Sequence, residues 1–212
     1  MTHLSDVVNN QQNRASGKSS DEIVLDLCRQ LRENLPAVLS RYEEFVNKDL
    51  FVQDENGLIP PLSTVLLQEM EKFNRLLDVM KVSLENLNDS ILGLMTMSQE
   101  LDAMYSSLLN NQVPKNWADK AYPSLKPLAS WIKDLELRII FMREWLTNPG
   151  SLGPNCYWIS GFFFPQGFLT GVLQTHARKH EIAIDKLNFS FKVYDFDKDT
   201  VPNKPEVIMI HP

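Results

Sequence analysis

The sequence predicts a mainly α protein, a multi-helix bundle with one long helix and one or two short β-strands near the C-terminus. Apolar residues recur at helical spacing through most of the chain. Only 8 glycines and 12 prolines occur in the 212 residues, and the prolines bunch between the periodic segments. Alternation with period two, the mark of a half-buried strand, occurs once, in Leu187, Phe189, Phe191 and Val193. Apolar residues make up 43% of the total, enough to fill a sizeable core.

The first 18 residues are rich in Asn, Gln, Ser and Gly, bury too little to offset their ordering entropy, and are expected to form a disordered arm. Ser19 and Glu22 then spell a capping box, and Ile23, Leu27 and Leu31 repeat every four residues up to Pro36, which predicts a first helix. A shorter one is expected over 37–46. The stretch 54–61, with Asn56-Gly57 and Pro60-Pro61, reads as a turn. The strongest local signal follows. Leu66, Met70, Phe73, Leu77, Met80, Leu84, Leu87 and Ile91 alternate steps of four and three, a heptad seam that predicts a helix over about 62–92.

Gly93 and a Thr96/Gln99 box suggest a break, after which Leu101, Met104, Tyr105 and Leu108 give another amphipathic helix. Between Asn110-Asn111 and Pro127 the sequence is irregular, with Trp117 and Tyr122 available for burial. A helix over about 127–147 buries Leu128, Trp131, Ile132, Leu135, Ile139, Met142 and Leu146. Pro165 opens the next, with Phe168, Leu169, Val172 and Leu173 inward. The strand at 187–194 has Val207–Ile210 as its only nearby apolar partner, so a makeshift hairpin at best, or two mobile segments with a tendency to associate through this edge, is expected.

The formal charge of −6 and the lack of a dense Lys/Arg run argue against nucleic acid or an acidic polymer surface as a direct partner. No apolar stretch reaches the ~18 residues of a membrane span. Cys28 and Cys156 form no CxxC pair and read as free thiols in a reducing compartment. Gly17-Lys18-Ser19 imitates the end of a phosphate-binding loop, but Gln12 stands where its first glycine belongs, so capping by Ser19 is the better account. His176 and His180 share a helix face at metal-binding spacing, yet Ala177 occupies the general-base position of an HExxH site. The residues predict no catalytic group, cofactor or metal. The seam at 66–91 admits a second reading, a free-standing adaptor that dimerises or recruits a partner helix; a hydrolase built on His176 and His180 is a third.

The segments VPKNWADKAYPSLKPLASWIKDLELRIIFMREWL at 113–146, YWISGFFFPQGFLTGVLQTHARK at 157–179 and IAID at 182–185 resemble the C-terminal domain of axonemal dynein heavy chains. SSDEIVLDL at 19–27 and LSTVLLQEMEKFNRLL at 62–77 fit the same family, so the resemblance covers about 19–194 and leaves 195–212 as a divergent tail. The link from Trp145 to Trp158 is a few residues longer than the family's usual spacing. The resemblance implies the helical part of a domain that lies on a ring of six AAA+ modules and continues into a β-barrel that this protein would lack. The ATP-binding modules and the microtubule-binding stalk would lie before Met1.

Its further implications are partners in the AAA+ ring and other dynein subunits, contact with microtubules only through the complex, and a place in the cytoskeleton of a cilium or flagellum. The signature residues then have packing roles. Trp131, Trp158, Phe162, Phe163, Phe164 and Phe168 would form an aromatic core, Trp117, Tyr122, Leu125, Gly161 and Leu169 would be further packing residues, and Pro123, Pro127 and Pro165 would set helix starts.

Overall fold

The computed structural model of the protein describes residues 17–148, 154, 156–190, 192 and 209–211. Among these are six α-helices: α1 (Ser20–Asn34), α2 (Pro61–Ile91), α3 (Gln99–Leu109), α4 (Lys115–Ala118), α5 (Leu128–Thr147) and α6 (Pro165–His180). Two three-residue strands, β1 (Cys156–Trp158) and β2 (Met209–His211), complete the regular structure with three short 3₁₀ turns. The fold is mainly helical, as the spacing predicts. The chain divides into two compact units, 1–38 with 72–139 and 39–71 with 140–212.

In the first unit, Ser19 opens α1 with a full capping box: its hydroxyl accepts from the Glu22 N–H at 3.2 Å and the Glu22 carboxylate accepts from the Ser19 N–H at 2.9 Å. Lys18 pairs with Asp26. The inward face of α1 is Val24, Leu27, Cys28 and Leu31. Ile23, expected in that stripe, is only half-buried. Burial pushes the Cys28 thiol up to about 12, so it is an inert core group. Helix α3 packs against α1, and the Tyr105 hydroxyl donates to Asp21 at 2.7 Å. The cap of α3 is Ser98, whose hydroxyl accepts from the Leu101 N–H, not Thr96. Asn111 turns the backbone through a left-handed conformation (φ 55°). Its carbonyl accepts from the Leu128 N–H at 3.0 Å and its side-chain oxygen from Ala129 at 3.2 Å, which satisfies two orphan donors of α5.

In the second unit, the helix expected over 37–46 is replaced by turns that lead into a 3₁₀ helix at Lys48–Phe51. Side chains compete for the backbone here. Glu43 accepts from the Ser40 N–H, Ser40 Oγ accepts from the Tyr42 N–H, and the Asn47 oxygen accepts from the Asp49 N–H. Asn47 also donates through its backbone to Leu146 O at 2.9 Å and through its amide to Asn148 O at 2.7 Å, which satisfies carbonyls at the end of α5. Asp54 accepts from the Asn56 and Leu58 N–H groups, and Gly57 (φ 75°) completes the predicted turn into α2.

Of the strand expected at 187–194, the described residues 187–190 and Lys192 carry no regular structure, and Phe191, Val193 and Tyr194 lie outside the described residues. Met209 and Ile210 pair instead with Cys156 and Tyr157, in parallel. Parallel pairing requires a long crossover, and the sequence between Trp158 and Met209 contains α6. The alternation at 187–190 faces no core; Phe189 is exposed.

Helix α6 approaches α2 through Gly171. A Cβ there would lie 2.9 Å from Val65 Cγ2 and 3.5 Å from Leu62 Cδ2. Gly171→Ala should therefore destabilise the protein by about 1–3 kcal/mol through overpacking, against the ~1 kcal/mol that alanine usually gains in a helix. In a double-mutant cycle measured by thermal melts, Val65→Ala should relieve much of this loss; strictly additive effects would show that the two helices do not meet at Gly171.

Candidate functional site

The candidate site is the set of packing residues that the signature segments supply. The two units use them separately.

In the first unit, Trp117 and Tyr122 flank Trp131. Ring centroids are 6.1 Å apart for Trp117–Trp131 and 6.2 Å for Tyr122–Trp131, both stacked. All three rings are buried. The indole N–H of Trp117 donates to Ser83 Oγ at 2.8 Å, and Ser83 donates to Met80 O at 3.1 Å, so these two buried polar groups are matched. Over the Tyr122 ring lies the Arg138 guanidinium, 3.7 Å from its centroid. Arg138 Nε donates to Asp134 at 2.7 Å, and the exposed Lys126 donates to the second carboxylate oxygen at 2.6 Å. Burial opposes ionisation of Asp134, but the hydrogen bonds from Lys126 and Arg138 prevail and hold its carboxyl below the usual 3.8. Burial, and then the Asp134 charge, push the Tyr122 phenol well up.

In the second unit, Phe162 stacks on Phe168 at 4.7 Å, and Tyr157 lies 4.8 Å from Phe168. Trp145 meets Tyr157 and Phe162 edge-on at 5.0 and 6.1 Å, and Phe141 meets Trp158 and Phe162 edge-on at 6.3 and 5.7 Å. Burial pushes the Tyr157 phenol up. Beside this cluster sits Glu69, only 2% exposed. Its carboxylate accepts from the Phe163 N–H at 2.6 Å and the Phe164 N–H at 3.0 Å. Phe164 is the N-cap residue of α6 and offers no side-chain cap; Pro165 at the first position lacks an N–H. A carboxylate from α2 thus does the capping that the local sequence cannot, at the positive end of the α6 dipole.

Several expectations need correction. Within the first unit Trp117, Tyr122 and Trp131 stack, and within the second Phe141, Trp145, Tyr157, Trp158, Phe162 and Phe168 meet. Phe164 is 53% exposed and Leu125 fully exposed, so neither packs as expected. Phe163, Trp158, Pro165 and Leu169 are half-buried, and Gly161, Phe162 and Phe168 are buried. Pro123 and Pro127 are exposed; Pro127 O accepts from the Trp131 N–H in the first turn of α5. Gly161 is needed for space, since a Cβ would lie 2.7 Å from the Trp158 ring. The exposed His176 and His180 have ring centroids 4.3 Å apart. No group of three or more His, Cys, Asp or Glu able to hold a metal occurs among the described residues.

Sequence reasoning missed Glu69, Asp134, Phe141, Trp145 and Tyr157. One signal was present for Glu69: it lies three residues after Leu66 and four before Phe73, an acid inside an apolar arc.

The sequence profile of the C-terminal domain of dynein heavy chains matches residues 1–211. The protein belongs to that family. This dynein C-terminal domain is 50% identical over 183 residues, 86% of its length, to "Dynein axonemal heavy chain 6" of Homo sapiens. It is 44% identical over 189 residues, 89% of its length, to "Dynein axonemal heavy chain 1" of Rattus norvegicus, and 42% identical over 196 residues, 92% of its length, to "Dynein axonemal heavy chain 3" of Mus musculus. It spans 4 to 5% of the length of these relatives. No described helix of the dynein domain is long and apolar enough to cross a membrane.

The clusters generate two expectations. Trp131→Ala should cost about 3–5 kcal/mol, as a buried aromatic does, while Phe164→Ala should leave the thermal midpoint nearly unchanged; similar losses for both would contradict the burial difference. Asp134 has a folded pKa below its unfolded value of 3.8, so its contribution to stability is fully present above pH 3.8 and is lost as pH falls through the folded value. Denaturant titrations of Asp134→Asn should accordingly show a shallower stability loss below pH 3.8 than the parent; identical slopes would remove Asp134 from the acid response.

Proposed function

We propose that this protein is a structural and regulatory part of an axonemal dynein heavy chain. It packs on the ring of AAA+ modules of a minus-end-directed microtubule motor in a cilium or flagellum, and neither hydrolyses ATP nor touches the microtubule itself. The observation that carries this reading is the family match over residues 1–211, together with identity to axonemal heavy chains across most of the sequence. The placement of Lys18 and Ser19 supports it: one pairs with Asp26 and the other caps α1, both roles of a helix start.

The adaptor alternative requires an open seam. Leu66, Met70, Phe73, Leu77, Met80, Leu84 and Leu87 are all buried within the protein, so that surface is not available to a partner helix without unfolding.

Calorimetric titration of the protein with ATP should give no saturable heat, and a heavy chain deprived of this domain should keep nucleotide binding while its microtubule gliding velocity or ATPase regulation changes. Saturable ATP binding that Lys18→Ala abolishes would overturn the non-catalytic role. A domain-deleted motor indistinguishable from the intact one would overturn the regulatory role.

A further inference from the structure

The turn between α2 and α3 carries an unusual load of apolar surface. Leu92, Leu94, Met95 and Met97 are 56, 76, 43 and 38% exposed, four large apolar side chains within six residues. Such a concentration on a soluble surface marks an interaction site more often than chance scatter does. Its backbone is fixed rather than loose. The N–H groups of Leu94 and Met95 donate to Asp89 O at 2.8 and 3.3 Å, that of Gly93 to Ser90 O at 3.1 Å, and Gly93 adopts the left-handed φ of 75° that closes α2. Beyond the turn, Ser98 caps α3. The apolar side chains therefore project from a preorganised knob, which needs little further ordering to dock.

Charge narrows the occupant. From Val82 to Pro114 the sequence holds Glu85, Asp89, Glu100 and Asp102 but no Lys, Arg or His. Glu100 and Asp102 are exposed beside the knob. A second copy of the protein would bring the same carboxylates against these, a like-charge arrangement that disfavours self-pairing. A groove with an apolar floor and a Lys/Arg rim would complement both features. The relatives place about 95% of a heavy chain outside the matched region, and a covalently attached surface competes at high effective concentration.

We propose that the Leu92–Met97 turn is a docking knob that inserts into an apolar, basic-rimmed groove elsewhere on the same heavy chain. This rests on the reading of the protein as a packing part of a dynein heavy chain, and it names the contact. The test places a photo-crosslinking amino acid at position 94 of the complete heavy chain and identifies the captured peptide by mass spectrometry. Amine-reactive crosslinking of the same preparation reports independently whether any lysine of the domain meets the rest of the heavy chain.

The expected result is capture of one upstream segment that contains Lys or Arg, with a yield that Met95→Asp lowers about tenfold while the melting of the isolated domain stays unchanged. Should Met95→Asp lower the melting point, Met95→Gln replaces it. Amine crosslinks to the rest of the heavy chain without capture from position 94 would overturn the knob and leave the packing role standing. Absence of both kinds of crosslink would overturn the two together. Capture of position 94 by a second copy, with a mass in light scattering that doubles with concentration, would overturn the intrachain occupant.

Discussion

The unit built from 39–71 and 140–212 depends on one carboxylate, that of Glu69. Removing such a group from water costs several kcal/mol unless its oxygens find donors. Each oxygen of Glu69 accepts from one backbone N–H, of Phe163 and of Phe164. The arrangement fixes where α6 begins, because those donors are the last two before Pro165. It also fixes the neighbouring segment: with Phe163 and Phe164 tied to α2, Phe162 is directed into the stack with Phe168 and against Trp145. Tyr157 then completes the cluster and anchors β1, to which β2 adds in parallel.

The other unit solves the same problem with different parts. Its stacked rings Trp117, Trp131 and Tyr122 bring an indole N–H, a phenol and the Arg138 guanidinium into a largely apolar region. The Ser83 hydroxyl accepts from the indole N–H and donates to Met80 O, while Asp134 pairs with Arg138 and Lys126. Two buried ions cannot compensate by Coulomb attraction alone; the hydrogen-bond geometry must be good as well. Here Lys126 remains half in water, which lowers the cost of the pair on its side. Arg138 spreads its charge over the Tyr122 face. In both units, then, the rings supply apolar area and a few polar groups determine their registration.

What the sequence revealed and what it concealed follow from the range of the forces involved. The seam from Leu66 to Leu87 and the stripe from Leu128 to Leu146 were legible because a helix repeats its environment every three to four residues. The Ser19–Glu22 box was legible because both partners lie within one turn. Glu69 was hidden by its partner's position: its hydrogen bonds reach to Phe163 and Phe164, and nothing local in either segment announces the other. The same holds for Asn47, which prefers the carbonyls at the end of α5 to a helix of its own. The strand reading of 187–194 finds no regular structure at 187–190, because alternation shows only that a strand could form, whereas a sheet needs a partner edge, and Met209–His211 gives an edge to β1. In the signature segments the sequence named aromatic residues but could not give their pairwise contacts, nor show that Phe164 and Leu125 point to solvent.

In both units, order comes from capping and ring contacts more than from regular sheet. Every long described helix has an end secured by a side chain or by a distant part of its own unit: α1 by Ser19 and Glu22, α3 by Ser98, α5 by Asn111 at one end and Asn47 at the other, α6 by Glu69. For α2 the secured end is the one that leads into the Leu92–Met97 turn, where Asp89 O gathers two N–H groups. Unsatisfied ends fray, and fraying would let an exposed apolar turn collapse onto its own domain. Holding those ends keeps the apolar side chains in solvent, ready for a surface of complementary shape and charge.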